Sequence, residues 1–249
     1  MKRAFIVLFI LIAFVSAIFI VVQIQFNRLK VPPFFYENPP QKFWAHRGYS
    51  INGADYSPNN FQLAKNAGFE GIELDLFYSI ELKTFLVAHD MPLEDTLLIE
   101  DVLDETQNSF YYWFDLKNLN SQNVDEVITQ LETLNESYQL QHHFMVESKE
   151  ARSLYQLTKA RIHTCLWLKT PRPQQLFQFY FWKTINMLTL MYYDFDAISI
   201  PYFIYRYQEY ESFYKLNTCS WMGEEMVELH KNDAANNKQL KIVLVDRKY

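Results

Sequence analysis

Between Phe43 and Asp90 the chain carries two histidines, His46 and His89, and two carboxylates spaced i, i+2, Glu73 and Asp75. Each lies near the end of a short apolar run: KFWAHRGYS, GIELDLF and FLVAHD. Residues two apart on a strand share a face, so Glu73 and Asp75 point one way while Ile72, Leu74 and Leu76 point the other. Two carboxylates on an inward face repel each other unless a cation sits between them. A hard divalent ion, Mg²⁺ or Ca²⁺, prefers such oxygen ligands, and histidines titrating near neutrality suit acid and base roles beside it. Further along, YYWFDLK sets Asp115 and Lys117 i, i+2 with Leu116 facing away. Asp115 would complete a three-carboxylate cage, and Lys117 would bring positive charge to an anionic substrate.

These groups need elements to hold them. From Lys42 onward, strand-like and helix-like runs alternate, which argues for α/β architecture with a parallel sheet. Strands are expected at KFWAHR, GIELDLF, YYWFDLK, HFMVES, HTCLWL, AISIPY, NTCSWM and KIVLVD, with FLVAHD as an extra strand in a hairpin with the second. Helical spacing is clearest at Val124, Val127, Ile128, Leu131 and Leu134. Eight βα units predict a TIM-type (β/α)8 barrel, whose functional groups gather at the C-terminal strand ends. His46, Glu73, Asp75, Asp115 and Lys117 all fall at such ends. The chain stops soon after Asp246, so the barrel is expected to lack its last helix.

The net charge of −6 and the absence of a basic block argue against a nucleic-acid partner. Cys165 and Cys219 sit in separate strand-like runs, with neither a disulfide framework nor zinc spacing, and read as buried thiols. Three segments follow from composition: residues 1–30, a Pro-rich linker over 31–41, and a barrel domain over 42–249. In the first, Lys2 and Arg3 precede an uncharged run from Ala4 to Val22, long enough for a transmembrane anchor. Val15-Ser16-Ala17 offers the competing reading of a cleaved signal peptide, but the apolar run continues to Val22. A single-pass anchor would place the barrel on the periplasmic, lumenal or extracellular side. The aromatic segment from Pro171 to Phe195 reads as an outer helix or as a membrane-facing patch beside that anchor.

His46-Arg47-Gly48, Pro58 and Asn60 of SPNNF, Glu73-x-Asp75, His89-Asp90 and Asp115-x-Lys117, in that order, resemble the glycerophosphodiester phosphodiesterase family. Fainter similarity runs on through FMVES, DAISIPY, TCSWMGEEMVEL and KIVLVD, so it covers roughly Gln41 to Asp246. His46-Arg47-Gly48 alone would read as a strand end turning at a glycine. Three departures mark the chain. The family's Pro-Glu-Asn-Thr stands here as Pro58-Asn59-Asn60-Phe61, its Glu-x-Lys as Asp115-Leu116-Lys117, and its Asp-Gly turn before His-Asp is absent. The Asp-x-Lys form looks more like the spider-venom-type phospholipase D enzymes.

The resemblance implies hydrolysis of a glycerophosphodiester to an alcohol and glycerol 3-phosphate. His46 and His89 would be the catalytic acid–base pair, and Glu73, Asp75 and Asp115 would ligate one Mg²⁺ or Ca²⁺. Arg47 and Lys117 would hold the phosphate, and Trp221 either lines the substrate cleft or belongs to the core. Two alternatives stand beside this: a membrane-anchored lysophospholipase D or phospholipase D-like enzyme, and an inactive phosphate-binding scaffold. Retention of both histidines and all three carboxylates speaks against the scaffold.

Overall fold

The computed structural model describes residues 2–36, 41–49, 56–90, 96–140 and 143–246. Nine strands form one sheet: β1 (Phe43–Ala45), β2 (Gly71–Ser79), β3 (Thr84–Val87), β4 (Tyr111–Leu116), β5 (Phe144–Ser148), β6 (Thr164–Trp167), β7 (Ala197–Pro201), β8 (Thr218–Met222) and β9 (Leu240–Val245). All pair in parallel except β3, which runs antiparallel to β2 with Leu76 opposite Val87. β1 pairs with β9 on one side and with β2 on the other, Ala45 opposite both Val245 and Ile72, so eight parallel strands close into the expected TIM-type barrel. The β2–β3 hairpin turns through Lys83, whose left-handed φ of 52° stands where an Asp-Gly turn was missed in the sequence.

Eight helices accompany the strands among the described residues: α1 (Lys2–Asn27), α2 (Pro58–Asn66), α3 (Ile99–Thr106), α4 (Val124–Ser137), α5 (Ala151–Lys159), α6 (Leu176–Tyr192), α7 (Tyr202–Tyr205) and α8 (Glu224–Asn236). Ser57 caps α2, its Oγ accepting from Asn60 N at 3.3 Å, with Pro58 at the first helical position where its missing N–H is harmless. α4 buries Val124, Val127, Leu131 and Leu134 as the periodicity predicts. No helix follows β9 among the described residues.

Alternation along each strand sends aliphatic side chains out to the helices and a separate set inward. Trp44, Trp113, Met145, Cys165, Ala197, Cys219, Ile242 and Leu244 fill the interior, and both cysteines are free and buried. The floor of this interior is closed by the segment expected as a bare linker. Phe34, Phe35 and Tyr36 pack on it, with Tyr36 edge-on to Tyr111 at 5.0 Å and Phe35 stacked on His163 at 4.3 Å. Asn217 Nδ2 donates to Pro32 O at 3.0 Å. Residues 37–40 of that segment, and His142, lie outside the described residues.

Within residues 1–30 the helix α1 runs from Lys2 to Asn27, and its C-terminal half lies against α6. Phe26 and Val22 are buried, Phe26 sits 5.2 Å from the Phe213 ring, and Lys215 Nζ donates to Phe26 O. This packing adds a helix to the outer ring beside α6. Among the described residues no helix is long and apolar enough to cross a membrane. The side chains at positions 2–4, 8, 11, 12 and 15 of α1 fall outside that description, and the unbroken stretch 16–27 is too short to span alone.

Gly71 faces the barrel interior, where a Cβ would overlap the Trp44 indole. Gly71→Ala is expected to lower stability by about 1–3 kcal/mol through overpacking, read as a fall in the denaturation midpoint. Gly223→Ala, which meets open space, should cause a smaller fall.

Candidate active site

Strand parity brings the sequence-predicted residues to one rim. Inward positions near the C-terminal ends of β2, β4 and β5 hold Glu73, Asp75, Asp115 and Glu147, with Asp75 opposite Asp115 and Asp115 opposite Glu147. Ligand oxygens of Glu73, Asp75 and Asp115 lie within 4.8 Å of one another, and Glu73 and Asp75 are almost fully buried. Lys117 Nζ bridges Asp75 Oδ1 and Asp115 Oδ2, and Arg47 Nε stands 3.7 Å from Asp75 Oδ2.

The backbone helps. Arg47, Gly48 and Tyr49 all adopt positive φ (49°, 64° and 74°), and this turn aims Arg47 N at Glu73 Oε2, 2.7 Å away. A left-handed arginine costs about 1 kcal/mol or more, strain of the kind that clusters at functional sites.

Charge in the cluster is unbalanced. Burial, and then the charges of Asp75 and Asp115, push the Glu73 carboxyl well above the usual range. Burial also raises Asp115, with Lys117 opposing it. Burial by itself would raise Asp75, but Lys117 and the Tyr56 hydroxyl bring it below its ordinary value. Burial would lower Lys117, yet Asp115 and Asp75 together hold it above the ordinary lysine range. Three oxygen donors with too little positive charge suit a hard divalent cation.

Both histidines reach the same cavity, of about 210 Å³. His46 Nδ1 lies 2.7 Å from Asp246 Oδ1, the residue after β9. A carboxylate at Nδ1 favours the Nδ1–H tautomer and leaves Nε2 as the lone-pair nitrogen. His89 is placed by the backbone beside β3, where Ala88 N donates to Asp75 O at 3.0 Å; its Nδ1 is 3.2 Å from the exposed Asp90 carboxylate. Trp221 lines the cavity, its ring 6.5 Å from that of Trp167.

Sequence reasoning missed three participants. Tyr56 donates its hydroxyl to buried Asp75. Asp246 orients His46. Trp167 adds a second aromatic wall. Glu147, at the inward end of β5, has partners of its own: Trp113 Nε1 donates to it at 2.7 Å, and Ser199 Oγ donates to its other oxygen. Burial and then the nearby Asp115 raise the Glu147 carboxyl well above its usual range. Of the three missed residues, Asp246 and Trp167 were within reach of the rule that located the others, since each ends an apolar run with inward parity. His163 and His230 lie outside the cavity, as does His143, whose ring packs on Tyr111 at 4.5 Å.

No family model and no curated protein matches the chain. Solved structures do. A glycerophosphodiester phosphodiesterase from Parabacteroides distasonis superposes with a TM-score of 0.59 at 14% identity, covering 84% of this chain and 94% of that one. One from Thermotoga maritima gives 0.58 at 13% identity, covering 82% and 94%. A phosphodiesterase from Oleispira antarctica, solved with its product sn-glycerol-3-phosphate, gives 0.61 at 14% identity, covering 84% and 93%. The chain therefore has the barrel fold of solved glycerophosphodiester phosphodiesterases.

Asp246→Asn tests the His46 contact. It removes the charge that orients the imidazole, so turnover should drop by roughly 10–100-fold, part of the 10²–10⁴ a general acid or base contributes. KM should stay close to that of the parent. In a His46→Ala background the same substitution should cost almost nothing further.

Proposed function

We propose that the chain is a metal-dependent phosphodiesterase that hydrolyses glycerophosphodiesters to an alcohol and glycerol 3-phosphate. The observation that carries this is one cavity of about 210 Å³ lined by His46, Arg47, Glu73, Asp75, His89, Asp115 and Lys117 at the C-terminal rim of the barrel. Glu73, Asp75 and Asp115 are the residues that would hold Mg²⁺ or Ca²⁺. When bound, the cation supplies charge neutralisation at a phosphoryl oxygen. Arg47 and Lys117 grip the remaining oxygens from fixed positions, stabilising charge that develops in the transition state.

His46 Nε2 and the His89 imidazole flank the phosphate as an acid–base pair. One takes the proton of the nucleophile, and the other gives a proton to the departing alkoxide. The nucleophile is water or a neighbouring hydroxyl of the substrate, the latter giving a cyclic phosphate first. Trp221 and Trp167 form an aromatic wall for the rest of the substrate.

A second reading, a membrane-anchored lysophospholipase D or phospholipase D-like activity, is favoured by α1. Its Phe5, Ile6, Val7, Phe9, Ile10 and Phe14 are all more than half exposed. We read residues 1–30 as an anchor holding the barrel, residues 42–249, at a bilayer on its periplasmic, lumenal or extracellular side.

A panel of glycerophosphocholine, glycerophosphoethanolamine, lysophospholipid and sphingomyelin, assayed for released alcohol, tests the reaction. Chelation with EDTA should abolish turnover, and Mg²⁺ or Ca²⁺ should restore it. His89→Ala should lose on the order of 10²–10⁴-fold in kcat with the fold intact; a near-normal rate would sink the two-histidine scheme. Alanine at Glu73, Asp75 or Asp115 should raise the metal concentration needed for activity or abolish turnover, and combining them should add little.

A further inference from the structure

From α1 and α6 we infer that the barrel is seated on a lipid bilayer catalytic end first, with the rim end of α6 sunk in the apolar layer. The inference rests on the membrane reading of α1 and adds to it an orientation.

The direction of α1 comes from its contacts. Ser16 to Ile20 face Leu176 to Ile185 across a groove of about 730 Å³, and Phe19 packs edge-on against Tyr180 at 5.5 Å. Further along, Leu29 to Pro32 meet Leu190 and Tyr193 to Ile198. The two helices therefore run side by side in the same direction. α6 begins after β6, whose last residue, Trp167, lines the catalytic cavity. Its N-terminus thus lies at the catalytic rim and its C-terminus at the barrel floor. The part of α1 that precedes Ser16 projects past the rim, on the side where the cavity opens.

Length makes the second step. Residues 4–15 of α1 rise about 18 Å, and a bilayer core is about 30 Å thick. The remaining ~12 Å corresponds to about eight more residues of helix, which are those running beside α6. A span by α1 therefore carries the rim end of α6 into the apolar layer with it.

The surface of α6 suits that place. Leu176, Phe177, Tyr180, Phe181, Ile185 and Leu188 are exposed along one stripe, with Phe177 83% exposed. The only charged residue of α6 is Lys183, which turns inward and donates to Glu209 O. Tyrosine and phenylalanine at this level favour the interface between headgroups and acyl chains. With that seating, the phosphodiester the site works on is reached from the headgroup layer, which selects a lipid with a glycerophosphate or related headgroup.

The full chain in phosphatidylcholine–phosphatidylglycerol vesicles tests this without relying on turnover. Both native cysteines are buried, so Phe177→Cys and, at the barrel floor, Lys238→Cys can each carry a bimane label. Brominated acyl chains should quench the label at 177 strongly and the label at 238 little. Equal quenching, reversed quenching or none at 177 would overturn the orientation. So would shielding of 177 by a second copy, seen as a dimer in light scattering.

Activity gives a separate arm. Leu176→Asp with Phe177→Asp should leave the rate on soluble glycerophosphodiester within about twofold, and lower the rate on vesicle lysophospholipid by about tenfold or more. Equal losses on both substrates would count against the seating. A parent chain that hydrolyses neither substrate would refute the proposed reaction, while the quenching would still report how the barrel sits.

Discussion

Three carboxylates from two strands, packed within 4.8 Å at one end of a closed barrel, impose the condition that the rest of the site meets. Left alone they would repel one another and resist ionisation, because burial removes the water that would screen them. The barrel answers with two cations on short leashes. Lys117 lies two residues from Asp115, and Arg47 is aimed by a left-handed turn that also donates its backbone N–H to Glu73. Tyr56 supplies a hydroxyl to the buried Asp75. Even so, Glu73 remains displaced toward its protonated form. A pocket that concentrates negative charge and stays short of positive charge suits a hard divalent cation.

The same inward parity that creates this charge cluster makes the interior beneath it. Below the carboxylates the inward positions turn to Trp44, Trp113, Met145 and the two cysteines, a packed apolar layer that keeps water from entering from below. Gly71 is small because Trp44 occupies the space its side chain would take. Phe34, Phe35 and Tyr36 then cap the floor, so the chain leading into β1 is part of the barrel's closure and leaves α1 little freedom to swing. Phe26 and Lys215 dock the C-terminal end of α1 against the barrel.

By itself the sequence determined the strand positions, the barrel class and the local pairs Glu73-x-Asp75 and Asp115-x-Lys117. Each depends on the two-residue strand period, which is readable over a few residues. The tertiary structure alone decided what depends on distant parts of the chain meeting. Asp246 reaches His46 because β9 closes against β1. Trp113 and Ser199 reach Glu147 from strands on either side of it. Tyr56 meets Asp75 through a loop whose course no periodicity describes. The apolar run of α1 was legible as a run, but its packing beside α6 was not. Side-chain pattern states which face is apolar, and only the folded ring of helices, with α7 cut to a single turn, states what that face finds.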